Sequence, residues 1–126
     1  MRSLLSALIV AAALPVHAQW PAVQPSVRLL VQSSPLAGFR YGEAAHLWAL
    51  LKPGDALDLV REPDNPHDAN AVRVEWRGRK LGYVPRDQNG ALAWAMDRGE
   101  GLRAHVSRLA EHPNPRRRIE FEVFVE

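Results

Sequence analysis

The sequence predicts a mainly β domain: a small antiparallel barrel of six short strands with two short helices. Three observations predict it. Apolar residues alternate with polar ones over Val72–Arg77 and again over Ile119–Glu126, the period of a half-buried strand. The segments between such runs are brief and hold Gly, Pro, Asn and Asp, the residues of tight turns. No long helical pattern separates successive strands, as a parallel sheet would require. A length of 126 residues, 47% hydrophobic and 24% charged, fits one globular domain.

The elements follow in order. Residues 1–18 read as an export signal: Arg2 is the basic start, Leu4 to Leu14 the apolar run, and Val16-His17-Ala18 the small-residue cleavage pattern. That run is eleven residues long and closed by Pro15, against the roughly 20 needed to span a bilayer. Cleavage leaves a chain without a membrane segment, and an exported, periplasmic or secreted location is expected. Residues 19–26, with Pro21 and Pro25, form an extended lead-in, and residues 27–126 form the domain. Val27 to Ser33 is the first strand and Ser34 to Gly38 its turn. Leu47, Leu50 and Leu51 then mark an amphipathic helix over Glu43–Leu51, ended by Pro53-Gly54. Ala56 to Arg61 is the second strand, Val72 to Trp76 the third, and Arg77-Gly78-Arg79 a hairpin into a fourth at Lys80–Val84. A second helix spans Asp87–Arg98. Asp87 or Asn89 caps it, Leu92, Ala95 and Met96 are its buried stripe, and Gly99 follows its end. Leu102–Leu109 and Ile119–Glu126 complete the strands. Trp48, Trp76 and Trp94 read as packing residues, and Arg116–Arg118 as a solvated basic turn.

The densest chemistry lies between the second and third strands, in Arg61-Glu62-Pro63-Asp64-Asn65-Pro66-His67-Asp68. Two prolines fix φ there and restrict the residues before them, so the loop is stiff. Rigid loops between strands often carry function; alternatively, the Asp and Asn side chains serve only their own turns. Arg61 and Glu62 read as a structural pair holding the loop. Cysteine is absent, which removes disulfides, thiolate nucleophiles and Cys-based zinc sites. The net charge is only +2, so affinity for nucleic acid requires a local basic patch.

Gly38-Phe39-Arg40-Tyr41, Leu51-Lys52-Pro53-Gly54-Asp55, the run from Leu59 through Arg61-Glu62-Pro63-Asp64-Asn65-Pro66-His67-Asp68 to Val72, Gly82-Tyr83-Val84-Pro85-Arg86 and Asn89–Ala93 occur in an order that resembles the HIRAN domain family. The match runs over about Val27 to Val125. The resemblance implies an OB-like barrel of six strands and two helices, in a family also found fused to remodelling ATPases, ubiquitin ligases and nucleases. It implies a module that grips a single-stranded DNA end and recognises the free 3′-hydroxyl. By resemblance, Arg40 and Tyr41 match the family's Arg-Tyr pair, one for phosphate and one for base stacking. Asp68 matches the carboxylate that accepts from the terminal hydroxyl, Asn65 and the Pro66-His67 backbone shape its pocket, and Arg86 matches a basic phosphate position. Two departures weaken the match. Gly42 stands where animal relatives carry a second aromatic, and His67 where they carry a tyrosine, so a weaker binder is expected.

Alternatives stand beside this reading. Tyr41 has a second reading as a core aromatic, and Arg40 as a plain surface base. Asp64, His67 and Asp68 are the weak candidates for a metal, which would suit a nuclease or nuclease accessory; zinc and hydrolase labels otherwise fit the larger relatives. No catalytic residue is expected, since the chain lacks a nucleophile elbow, a phosphate-binding Gly-rich loop and paired catalytic carboxylates. No cofactor is expected, and a monomer is. An exported protein rarely meets DNA, so an envelope module binding a protein or other ligand in the same pocket is the main alternative function.

Overall fold

The computed structural model describes residues 11–12 and 28–125. The export signal and the lead-in therefore lie outside the described residues, apart from Ala11 and Ala12. Among these residues six strands form: β1 (Leu29–Pro35), β2 (Ala56–Arg61), β3 (Val72–Trp76), β4 (Arg79–Tyr83), β5 (Leu102–Leu109) and β6 (Ile119–Val125). Two helices among the described residues accompany them, α1 (Ala44–Leu47) and α2 (Gly90–Asp97), with 3₁₀ turns at Phe39–Tyr41, Trp48–Leu50, Arg86–Gln88 and Pro115–Arg117. The strands make one antiparallel sheet in the order β1-β6-β5-β2-β3-β4.

Alternation decides which side chains fill the interior. Val72, Val74 and Trp76 of β3, Ala104 and Val106 of β5, and Ile119, Phe121 and Val123 of β6 are all buried. Full burial of such a side chain contributes about 1.5–3 kcal/mol. The two edges of the sheet meet beyond the end of β1. There Ala37 and Tyr83 exchange backbone hydrogen bonds, at 2.9 Å from the Ala37 N–H and 2.8 Å from the Tyr83 N–H. This bridge depends on Gly82, where a Cβ would run into the Ala37 carbonyl oxygen and sit 3.1 Å from two Leu36 side-chain carbons.

The turns follow local chemistry. Arg77 (φ 49°) and Gly78 (φ 77°) both lie in the left-handed region. That is the two-residue primed turn matching the twist of β3 and β4. After α2, Gly99 (φ 82°) donates to the Met96 carbonyl at 2.9 Å and Glu100 to the Ala95 carbonyl at 3.0 Å, a Schellman stop.

Four expectations shift. β1 runs two residues later than expected at each end, and Pro35, at an edge where no donor is needed, stays in the strand. The first helix holds its α form only over Ala44–Leu47 and then tightens to a 3₁₀ turn. The tighter winding buries Leu47 and Leu51 but turns Leu50 outward. The second helix begins at Gly90, with Arg86–Gln88 a separate 3₁₀ turn. Neither Asp87 nor Asn89 caps α2 with its side chain: Asn89 has helical φ and ψ (−93°, −16°), whereas a capping side chain needs an extended backbone. Leu92 and Ala95 are buried and Met96 packs on the core as expected; Ala93, not anticipated, is buried with them.

Candidate functional site

Successive turns build the loop between β2 and β3. Asn65 N–H donates to the Glu62 carbonyl (3.1 Å), Asp68 to Asn65 (3.3 Å) and Ala71 to Asp68 (3.1 Å). Two side chains reinforce them: Asn65 Oδ1 accepts from the His67 N–H and Asp68 Oδ1 from the Asn70 N–H, both at 2.9 Å. Arg61 and Glu62 do hold this loop, but not by pairing with each other. Arg61 forms a two-point bond to Asp97 of α2 (2.9 and 3.2 Å) and donates to the Ala69 and Ala71 carbonyls. Glu62 accepts from Asn65 Nδ2 (2.9 Å), the Tyr83 hydroxyl (2.9 Å) and Arg73 (2.6 Å). Burial works against its charge, yet these three donors outweigh it and hold its carboxyl below the ordinary range.

A cleft of about 560 Å³ opens between this loop and the end of β4. Ala37, Ala71 and Val84 give it apolar surface; Tyr41, Asn65, His67, Asp68 and Arg86 line it with Lys80 and Tyr83. Tyr41 stands at 86% exposure, which settles it as a surface aromatic. Asp68 is 20% exposed at the side chain and reaches across the cleft: its Oδ2 accepts from Asn89 Nδ2 at 2.7 Å and lies 3.8 Å from Arg86 Nε. Arg86 also donates to the His67 carbonyl, while its side chain stays 69% exposed. A guanidinium has five N–H donors, so Arg86 retains capacity for another acceptor.

Five of the six residues singled out from sequence thus share one cleft. Arg40 is not in it; it lines a neighbouring groove with Tyr41, Asn114 and Arg116. The weak metal candidates do not converge. Asp64 does not line the cleft, Asp68 is held by Asn70, Asn89 and Arg86, and no group of three or more acidic or imidazole ligands placed to hold an ion occurs among the described residues. Lys80 and Tyr83 were missed. The Lys80 ammonium sits 4.5 Å over the Tyr83 ring. Strict alternation puts positions 80 and 83 on opposite faces, but Lys80 pairs with Glu75 and Gly82 with Val74, so Leu81 is an extra residue in β4. That bulge brings Lys80 and Tyr83 to one face. Gly42 also has a structural reason: a Cβ there would lie 2.6 Å from the Leu81 carbonyl oxygen, so no second aromatic fits beside Tyr41 without backbone movement.

The HIRAN domain model matches residues 29–126, which takes in all six strands, both helices and every residue of the cleft. The chain belongs to the HIRAN domain family. Its fold is similar to a crystal structure of a protein from Lactobacillus plantarum, with a TM-score of 0.68 and 29% identity over 79% of this chain and 95% of that one. It is also similar to the crystallised HIRAN domain of human HLTF, with a TM-score of 0.57 and 23% identity over 77% and 78% of the two chains. In sequence, 44 residues are 41% identical to the helicase-like transcription factor of Oryctolagus cuniculus and 39% to that of Homo sapiens. Those matches span 34% of this chain and 4% of the relatives' length. This HIRAN domain is therefore the mainly β, barrel-like fold with two short helices that the sequence predicts.

Proposed function

We propose that this HIRAN domain binds single-stranded nucleic acid by its end, holding the free 3′-hydroxyl in the cleft beside Asp68. One observation carries the reading: a cleft lined by a carboxylate, an exposed aromatic and an arginine, on the loop that resembles the family's end-binding segment. Each group has work suited to it. Asp68 accepts at both oxygens already, but a carboxylate oxygen has a second lone pair to take a donor. A terminal hydroxyl supplies such a donor, while a terminal phosphate brings only negative charge against negative charge. Tyr41 offers its face to the last base and Arg86 a positive charge to the last phosphate. The loop's turns and the Glu62 hub keep these groups in place before the ligand arrives, which reduces the ordering cost of binding.

Fluorescence anisotropy with one short strand, ended by 3′-hydroxyl or by 3′-phosphate, tests this. The expected result is tighter binding of the hydroxyl end, a preference lost in Asp68→Ala while circular dichroism stays unchanged. Equal affinity for both ends, or no binding to either, would overturn the reading and favour a different ligand in the same cleft.

A further inference from the structure

Arg116 is in a run that composition alone makes a solvated turn, but the fold places it between two grooves, one of which adjoins the end cleft. The groove holding Arg40 shares Tyr41 with the end cleft. Arg116 lines that groove, and it also lines a second one with Arg86, Asp87 and Gln88. The 3₁₀ turn Pro115–Arg117 holds it there, capped by Asn114 Oδ1, which accepts from the Arg116 backbone N–H at 3.1 Å. The guanidinium itself plays no part in that cap.

Charge pairing distinguishes Arg40 and Arg116 from the arginines that are held in ion pairs. Arg61, Arg73, Arg79, Arg98 and Arg108 each face a carboxylate. Arg118 of the same run is half-buried, donating to the His112 and Pro113 carbonyls and lying over the Phe39 ring. Arg40 and Arg116 are exposed and make no ion pair with a described carboxylate. Unpaired guanidinium groups about a groove that opens beside an exposed aromatic suit a phosphodiester chain. Asp87, in the second groove, opposes an anion there and favours the Arg40 side.

We infer that Arg116, with Arg40, binds the phosphates upstream of the captured end, so that the strand leaves the cleft past Tyr41 along the groove these two arginines line. The inference rests on the end-binding reading above and adds a direction and a length to it: the site takes more than a terminal nucleotide. It also explains how a domain with no second aromatic at Gly42 would hold its strand, by charge in place of stacking.

Competition anisotropy with unlabelled 3′-hydroxyl oligonucleotides of two and six nucleotides decides it, using wild type, Arg116→Ala and, as a neighbouring control, Arg117→Ala. The expected result is that Arg116→Ala weakens the six-nucleotide strand about 3- to 10-fold at low salt and lowers its salt slope by about 0.7, the loss of one phosphate contact to a single strand. The dinucleotide is then unaffected, the hydroxyl preference is kept, and Arg117→Ala matches wild type. An Arg116→Ala protein that binds the longer strand as wild type does, or one that weakens both lengths equally, overturns the track but not the end pocket. Failure of wild type to bind either length overturns both.

Discussion

Tyr41 and Asp68 occupy the same cleft under opposite conditions. Tyr41 packs against little, so it contributes almost nothing to folding and is available to a planar partner. Asp68 is tied to the Asn70 backbone and the Asn89 side chain, so it is positioned but also structural. Of the two, the Tyr41 variant therefore separates binding from stability. Tyr41→Ala is expected to leave the urea midpoint unchanged and to weaken a bound strand by about 1–3 kcal/mol, roughly 5- to 150-fold. Equilibrium unfolding and anisotropy on the same sample check it, and unchanged affinity would remove the stacking role. At Asp68, loss of the carboxylate leaves the nearly fully buried Asn89 without its acceptor, so its binding defect must be read beside its stability.

At the scale of the element, the loop after β2 is stiff because Glu62 gathers donors from three places: its own loop, β3 and β4. Its folded carboxyl is held below the ordinary value of 4.5. A group depressed in the folded state stabilises above its unfolded pKa, and that contribution is lost as pH falls through the folded value. Stability is thus expected to decline on acidification from about pH 5 downward, with Glu62→Gln flattening that decline. The glutamine variant should be less stable at neutral pH by about 1–3 kcal/mol, because the side chain is 19% exposed and its donors lose a charged acceptor. Urea unfolding of both proteins across pH 3–7, a range set by carboxylate pKa values, tests this; parallel curves would show that Glu62 does not carry the acid dependence.

For the whole molecule, one contact both bridges the sheet edges and lines the cleft. Ala37 and Tyr83 both join the sheet edges and line the cleft, and Gly82 lets them meet. Gly82→Ala is expected to destabilise the fold by about 2–4 kcal/mol, combining overpacking with lost backbone hydrogen bonds. Gly90→Ala, at the start of α2 with open space around it, should be neutral or slightly stabilising. Chemical denaturation of the two variants compares them directly. Equal stability would mean that the Ala37–Tyr83 bridge does not hold the edges together.

Periodicity and turn chemistry in the sequence determined the strands and their inward faces, since burial of every second residue in β3 and β6 needs no knowledge of partners. They also determined the hairpin about Gly78 and the Gly99 stop, because glycine tolerates the left-handed backbone at both places; that Arg79 belongs to β4 and Arg77 shares the left-handed turn came from the fold. The resemblance named Tyr41, Asn65, His67, Asp68 and Arg86, but proximity among residues up to 45 positions apart belongs to the tertiary structure. Only the folded chain showed that Leu81 bulges β4 and so turns Lys80 toward Tyr83, that Glu62 is a hub and not the partner of Arg61, and that Arg116 stands apart from Arg118. Register, bulges and charge pairing are decided by which strand lies alongside, and a local pattern does not record its neighbour.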